Sequence, residues 1–519
     1  MPRRVRPPAL GVAAAIAFAL LAGCTVGPSQ RPALVVAGQA PPTPAPSSSA
    51  APPLPKLETP SNSQIGWSDC TDVMRQRLGV PTLPAGLTFQ CARVLSALDS
   101  PSAPGEGYTR LELVKIGSGA TPLVVENDLD GAPGTVYAAE LAQVLPAQFL
   151  RTFSLIGIDR RGTGGSDPVH CVPETDRAQI VGYDPTDTDL GGLLDASRDA
   201  SQQCILALDT RSAALDTTRS AEDLETVRQA LGVAHLNAIG HGEGSRVLTT
   251  YADRYPAQVG RIVLDGSPDP TLDSTDIATT RAAAAEAAFN AFAQDCVQRG
   301  CPLGANPRGA LTQLLGQLRQ QPLEMPDGTE VTNGTATNAV LVGLADRSDW
   351  PALAAAIANA RNGDGDGLTA LIAPVVDGTE TDPARLDADL VSGCNDQPDR
   401  LATAQVAGTA KTLSARDPLF GGVLAQDLLL CAPWPVQNVR LAPPTAKGTP
   451  TILVLATAND PVTPGTGSQH TAHQLAAGVL VNWLGSGHGA LGRSACATQA
   501  AQGFLINGHV PANPTTCPP

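Results

Sequence analysis

Aromatic residues are scarce, at 3% of the 519-residue chain, and so is positive charge: 34 Lys and Arg face 49 Asp and Glu, for a net −15. So acidic a chain is poorly suited to neutralising phosphates, which argues against a nucleic-acid partner. It argues equally against electrostatic adhesion to anionic lipid. No CxxC pair and no clustered Cys/His spacing occurs. No metal ion and no cofactor is therefore expected. Apart from the amino terminus, no apolar run approaches the roughly 18 residues that a spanning helix needs. What is present is glycine (51) and proline (46), the mark of a loop-rich chain with at least one structureless segment. Apolar residues at 42% and charged residues at 16% still allow a sizeable core and exclude fibrous or wholly disordered classes.

The amino terminus points to export. Arg3, Arg4 and Arg6 precede an apolar run, Ala9 to Leu21, of signal-peptide length. It ends in Leu21-Ala22-Gly23-Cys24, which resembles a bacterial lipobox and would leave Cys24 as the lipidated first residue. Such an anchor is acyl chain rather than helix. The expected location is extracytoplasmic, on the outer face of the cell membrane. The other ten cysteines form an even set, which suits disulfides in an oxidising compartment. Consecutive pairing gives plausible loops: Cys70–Cys91, Cys171–Cys204, Cys296–Cys301, Cys394–Cys431 and Cys496–Cys517. Sequence alone leaves the connectivity open.

Residues 24–62, rich in Pro, Ala and Ser, read as a semi-extended tether. Beyond it, short apolar runs bounded by turn residues predict strands at 110–116, 122–126, 153–159, 236–240, 261–265, 451–456 and 479–484. Several are continuous rather than alternating, as in strands covered on both faces of a parallel sheet. Helical patterns lie between them at 135–145, 221–231, 245–254 and 467–476, so the fold class is α/β, doubly wound. Ala-rich helical stretches dominate 275–435, most simply a cap inserted between two late strands. The expected division is signal peptide 1–23, tether 24–62, core 63–270, helical cap 271–440 and core 441–519.

One stretch carries the chemistry, or its loss. Leu236 to Ser245 reads strand, sharp turn, helix, with Gly240 and Gly244 standing where a G-x-S-x-G nucleophile elbow needs them. The raised position is Gly242, which has no hydroxyl and suits the strained turn. Nothing else is expected at the apex. Ser245 lies inside the following helix and should not share the elbow's geometry. Downstream, Asp460 follows one late strand and His488 the next, the acid-then-histidine order of an α/β-hydrolase triad.

Several long motifs make the likeness specific. They are Trp67 with Cys70 and Cys91, Asp159-Arg-Arg-Gly162-Thr-Gly164-Gly-Ser166, Ser220 to Gly232, the elbow, Arg254-Tyr-Pro256, Val263-Leu-Asp265-Gly, Asn459 to Pro464, and Gly487-His488-Gly-Ala-Leu. Over roughly 65–519 the chain resembles the secreted tripeptidyl-aminopeptidase-type α/β-hydrolases, relatives of proline iminopeptidase. The resemblance implies an α/β-hydrolase fold with a mostly parallel sheet and a helical cap. It makes Asp460 and His488 the triad acid and base, and position 242 the nucleophile. Two departures stand out. The first is Gly242. The second is the oxyanion loop, where a run like PGGPG is implied and Asn127-Asp128-Leu129-Asp130 stands instead. The expected oxyanion region is Glu243, Asn127 and Asp128. The Glu243 N–H can donate to an oxyanion, whereas the carboxylates oppose one if they face the site.

Loss of a serine nucleophile costs about 10⁶ in kcat. The expectation is a lipoprotein without efficient serine catalysis that binds a peptide, lipid or partner protein in the old cleft. The alternative is an active hydrolase in which Asp460 and His488 activate water or another nucleophile. A metal-assisted version would gather His241, Glu243, Asp128 and Asp130. A purely structural envelope protein is the third reading. Two weaker signals are set aside. Asn362 to Gly367 mimics half an EF-hand loop and reads as a turn inside the cap, and His470 with His473 reads as an exposed helix face.

Overall fold

The computed structural model describes residues 51–519 apart from 84–86, 102, 380–381 and 437–439. The expected signal peptide, Cys24 and the tether as far as residue 50 lie outside the described residues.

The seven apolar runs become strands β3 (Tyr108–Ile116), β4 (Thr121–Glu126), β5 (Phe153–Ile158), β6 (Leu236–His241), β7 (Val259–Asp265), β8 (Ile452–Asn459) and β9 (Gly478–Ser486), joined by three unpredicted strands, β1 (Ser68–Asp69), β2 (Phe89–Ala97) and β10 (Thr515–Cys517). They form one ten-stranded sheet in the order β1-β2-β3-β5-β4-β6-β7-β8-β9-β10. The pairs β1/β2, β2/β3 and β3/β5 are antiparallel. All other pairings in it are parallel. Strands β4 to β7 are buried along their whole length, because helices cover both faces.

The crossovers are helical: α1 (Gly134–Val144), α2 (Glu174–Gly182), α3 (Gly191–Leu208), α4 (Thr217–Leu231), α5 (Glu243–Arg254), α6 (Ser274–Arg299), α7 (Gly465–Gln474) and α8 (Ala495–Asn507). Helix α4 shows the local logic. Asp216 caps its first turn by accepting the Arg219 N–H, and Gly232 ends it at φ 73°. Between these caps Ala221, Leu224, Val227 and Leu231 form a buried stripe at helical spacing. The stripe faces the sheet beside Leu113, Ile156 and Leu236. The Asp159–Ser166 motif is bracing. Arg161, only 1% exposed, makes a two-pronged pair with Asp223 at 2.6 and 2.7 Å and donates to the carbonyls of Ala97, Leu98 and Ala214. It thereby ties the loop after β5 to α4.

A helical layer stands over the carboxyl ends of the parallel strands. Its apolar cluster joins Phe289, Phe292, Trp350 and Phe420 to Ile180, Leu193 and Ala200. The expected cap at 271–440 is therefore incomplete: α2 and α3, assigned from sequence to the first core segment, belong to the same layer. They bury Val181, Leu193, Ala196 and Cys204 in it rather than against the sheet. The ten cysteines form five consecutive disulfides, 70–91, 171–204, 296–301, 394–431 and 496–517.

The tether boundary also needs correction. Residues 54–62 are docked on the body, not free. Leu54 and Leu57 pack on the sheet's core. The Pro55 carbonyl accepts from Arg261 of β7 at 3.2 and 3.3 Å. Glu58 accepts the Ala234 N–H at 2.8 Å and meets His235 at 2.5 Å. The Gln64 N–H donates to the Ala230 carbonyl at 2.8 Å. Proline-rich composition predicts the extended backbone, but not that its carbonyls and leucines find partners.

Candidate active site

Strand β6 ends at His241, Gly242 turns the chain at φ 53° and ψ −124°, and Glu243 opens α5. The flanking glycines are required by contact. A Cβ on Gly240 would lie 2.8 Å from the Gly244 carbonyl oxygen, and one on Gly244 would lie 2.4 Å from that of Glu126. At Gly242 the obstacle is different, because a Cβ there would stand 1.8 Å from Asp128 Oδ1.

Asp128 comes from the loop after β4. Its Oδ1 accepts the Glu243 N–H at 2.6 Å, and its Oδ2 meets His488 Nε2 at 2.6 Å. His488, just after β9, turns its other nitrogen to Asp460, with Nδ1 3.0 Å from Oδ2 and 3.1 Å from Oδ1. Asp460 follows β8 and is itself held by the N–H groups of Val462, Thr463 and Gly489 and by the Thr463 hydroxyl. The order across the site is thus carboxylate, imidazole, carboxylate. The apex that the sequence leaves vacant is occupied from the opposite side, by a loop side chain. The sequence placed Asp128 near the site, but only the path of that loop brings its carboxylate to the apex.

The other predicted residues divide clearly. Asn127 braces the loop, its Nδ2 donating to the Ala132 carbonyl at 2.7 Å. The Glu243 carboxylate turns away toward Arg246, 3.8 Å distant. Asp130 faces the cleft without joining the His488 cluster. Ser245 points back into the fold and donates to the Gly240 carbonyl at 2.9 Å. His241 does join. Its ring stacks on Tyr137 at 4.7 Å and lies 4.1 Å from that of His488. Sequence reasoning missed Asp265, which closes β7, accepts the Ala490 and Leu491 N–H groups at 2.7 and 3.0 Å, and faces His241. Its signal was its place at the end of a buried strand, within a motif already quoted. His470 pairs with Asp269 and His473 is exposed, so neither belongs to the site.

Charge follows geometry. Burial alone would lower the His488 pKa, but the carboxylates of Asp460 and Asp128 and their hydrogen bonds hold it well above the usual histidine range. Burial would raise Asp128, yet the His488 and His241 charges and the Glu243 N–H bring it below the ordinary aspartate value. The two therefore form an imidazolium–carboxylate pair. Above them lies a cleft of about 500 Å³ between strand ends and helical layer, lined by Asp128, Glu243 and His488 below and by Leu386, Leu390 and Leu424 above. Its walls also carry Asp130, Asp389, Asp427 and Arg281. Burial and the neighbouring Asp130 raise Asp389 to about 8 and Asp427 to about 6.

A parallel sheet continued from an antiparallel edge, a glycine-framed strand-to-helix turn, and an acid and a histidine after successive late strands decide the fold. The chain has the α/β-hydrolase fold. Residues 417–517 match the family Abhydrolase_4, described as TAP-like protein. The chain is 26% identical over 494 residues to serine protease Hip1 of Mycobacterium tuberculosis, covering 89% of this chain and 92% of that one. It is 26% identical over 484 residues to carboxylesterase B of the same organism, covering 88% and 90%. It is 25% identical over 220 residues to tripeptidyl aminopeptidase of Streptomyces lividans, covering 40% and 39%. The first two of these alignments take in most of this α/β-hydrolase-fold chain.

Proposed function

We propose that this chain is an exported, lipid-anchored relative of serine peptidases and esterases that has given up serine acyl transfer and binds a ligand with a positively charged end in its cleft. A peptide amino terminus fits best. The observation that carries this reading is the Asp128 carboxylate. It fills the space a side chain at Gly242 would need and takes the N–H that would otherwise receive an oxyanion. A fixed negative charge there opposes the negative charge of an acyl-transfer transition state. His488, cationic and with Nε2 committed to Asp128, lacks the lone pair a general base requires. The same fact weighs against direct water activation by Asp460 and His488.

The ligand's charge is argued from the walls. Burial raises the pKa of Asp130, Asp389 and Asp427, and neighbouring carboxylates add to it (Asp128 beside Asp130, Asp130 and Asp427 beside Asp389, Asp130 beside Asp427); an entering cation relieves that repulsion. Relatives named as a protease and a tripeptidyl aminopeptidase favour a peptide as the carrier of the charge. The test pairs a fluorophosphonate probe and a panel of aryl esters and aminoacyl anilides with a melting assay. Wild type should neither label nor show turnover that His488→Ala removes. Tripeptides with a free amino group should raise the melting temperature, and their N-acetyl forms should not. Labelling, or turnover dependent on His488, overturns the loss of catalysis. Equal shifts by both peptide forms overturn the charged-end ligand. Replacing Cys24 by Ala should release the chain from the membrane fraction, and retention would overturn the anchor.

A further inference from the structure

The three groups at the base of the cleft do more than fill it. One ligand atom from each of Asp128, His241 and His488 lies within 4.8 Å of the others, and all three residues are buried. His241 is 4% exposed, and its buried Nδ1 has no partner within hydrogen-bond distance. Its Nε2 stands 3.8 Å from Asp128 Oδ2, and its Nδ1 stands 3.7 Å from Asp265 Oδ2. A buried imidazole whose carboxylate neighbours stand just beyond hydrogen-bond distance is costly unless something else satisfies it.

Both imidazoles are also backed by carboxylates. His488 Nδ1 faces Asp460, which four further donors hold in place. His241 Nδ1 faces Asp265, fixed by two backbone N–H groups. A carboxylate behind each histidine leaves Nε2 to point inward. This outer arrangement is the one that orients metal-ligating histidines. On the open side lies the cleft, which Asp128 and His488 both line.

We infer that Asp128, His241 and His488 form a binding site for one divalent transition-metal ion of the imidazole-preferring class, such as Zn²⁺, with a further coordination position open to the cleft. Two histidines and one carboxylate are an established zinc donor set; at about 2.0–2.1 Å from one ion the ligand atoms would stand roughly 3.3 Å apart, so the Asp128–His488 pair opens from 2.6 Å and the His241–Asp128 spacing closes from 3.8 Å. Binding replaces the Asp128–His488 hydrogen bond with two bonds to the ion. The Nε2 proton of His488 passes to solvent, and its lone pair goes to the metal. The inference rests on the reading that no hydroxyl stands at Gly242, and it adds an ion to that ligand-binding cleft.

The test uses the whole folded chain, loaded with Zn²⁺ or Co²⁺ and dialysed. Elemental analysis should find one ion per chain, and the Co²⁺ form should show the visible absorption of a four- or five-coordinate ion with nitrogen ligands. His241→Gln should weaken binding at least ~10-fold, and Asp265→Asn by about 10–100-fold through loss of orientation. His473→Gln, on an exposed face, should change nothing. Absence of retained metal in wild type overturns the proposal, with no variant required. So does a Co²⁺ spectrum left unaltered by His241→Gln in protein that circular dichroism shows to be folded, or lost with His473→Gln. The fluorophosphonate result bears on the loss of serine chemistry alone, so the two readings fail separately.

Discussion

Restoring a serine at the elbow should fail unless Asp128 is removed with it. In Gly242→Ser the new Cβ would sit 1.8 Å from Asp128 Oδ1 and 2.2 Å from its Oδ2, so the carboxylate has to leave. Its departure separates a buried pair joined at 2.6 Å, a change of about 3–5 kcal/mol when one charge is left uncompensated. The φ of 53° adds roughly 1–3 kcal/mol of backbone strain for a non-glycine residue. Together these approach the whole stability of an ordinary domain, about 5–15 kcal/mol. Asp128→Ala combined with Gly242→Ser removes the clash, frees the Glu243 N–H and leaves His488 with Asp460 alone. The strain and the lost Asp128 hydrogen bonds then remain, but no carboxylate is stranded. The double variant should therefore be more stable than Gly242→Ser by about 2 kcal/mol or more, a coupling well above the few tenths expected of independent sites. The assay is denaturant unfolding of wild type, both single variants and the double variant, followed by fluorophosphonate labelling of each. Labelling should be confined to the double variant. If Gly242→Ser alone labels as fast, or the double variant is the less stable, Asp128 does not stand where the argument needs it.

Three other expectations follow from the same structure. Arg161→Met leaves Asp223 buried without its partner and frees three carbonyls; it should cost about 3–5 kcal/mol in chemical denaturation, and a loss below ~1 kcal/mol would refute that account. Binding of a cationic tripeptide should strengthen as the pH rises through about 6, where Asp427 ionises, and calorimetric affinities independent of pH would count against it. In the free protein the same raised carboxyl contributes stability that is complete below about pH 4 and is lost as the pH climbs through about 6. Deleting residues 51–60 removes Leu54 and Leu57 from the core surface and should cost about 1–3 kcal/mol in denaturant unfolding; an unchanged midpoint would refute that docking.

The legible parts of this fold were those written in local pattern. β4 to β7 showed as continuous apolar runs because both of their faces are covered, and the elbow showed in glycines placed by backbone contact. Asp460 and His488 were readable because each follows a buried strand. Strand β2 escaped notice because it is only partly buried and its apolar positions do not recur regularly. The membership of α2 and α3 in the helical layer depends on which neighbour receives their apolar stripe, a tertiary choice. Asp128 was named as an acid near the site, but its role depends on how a loop crosses to the facing turn. The path of that loop decides whether the carboxylate merely repels an oxyanion or takes the N–H of Glu243 that would receive it.

Arg261 links parts of the molecule that sequence sets far apart. From the central strand β7 its guanidinium holds the Pro55 carbonyl at one end of the chain and the Leu505 and Ile506 carbonyls of α8 near the other. Tension along the amino-terminal segment therefore runs straight into the middle of the sheet instead of peeling away an edge. A body hung from a membrane by that segment would bear mechanical load through a strand inside the sheet, with the backbone carbonyls around one arginine among the first contacts to be pulled.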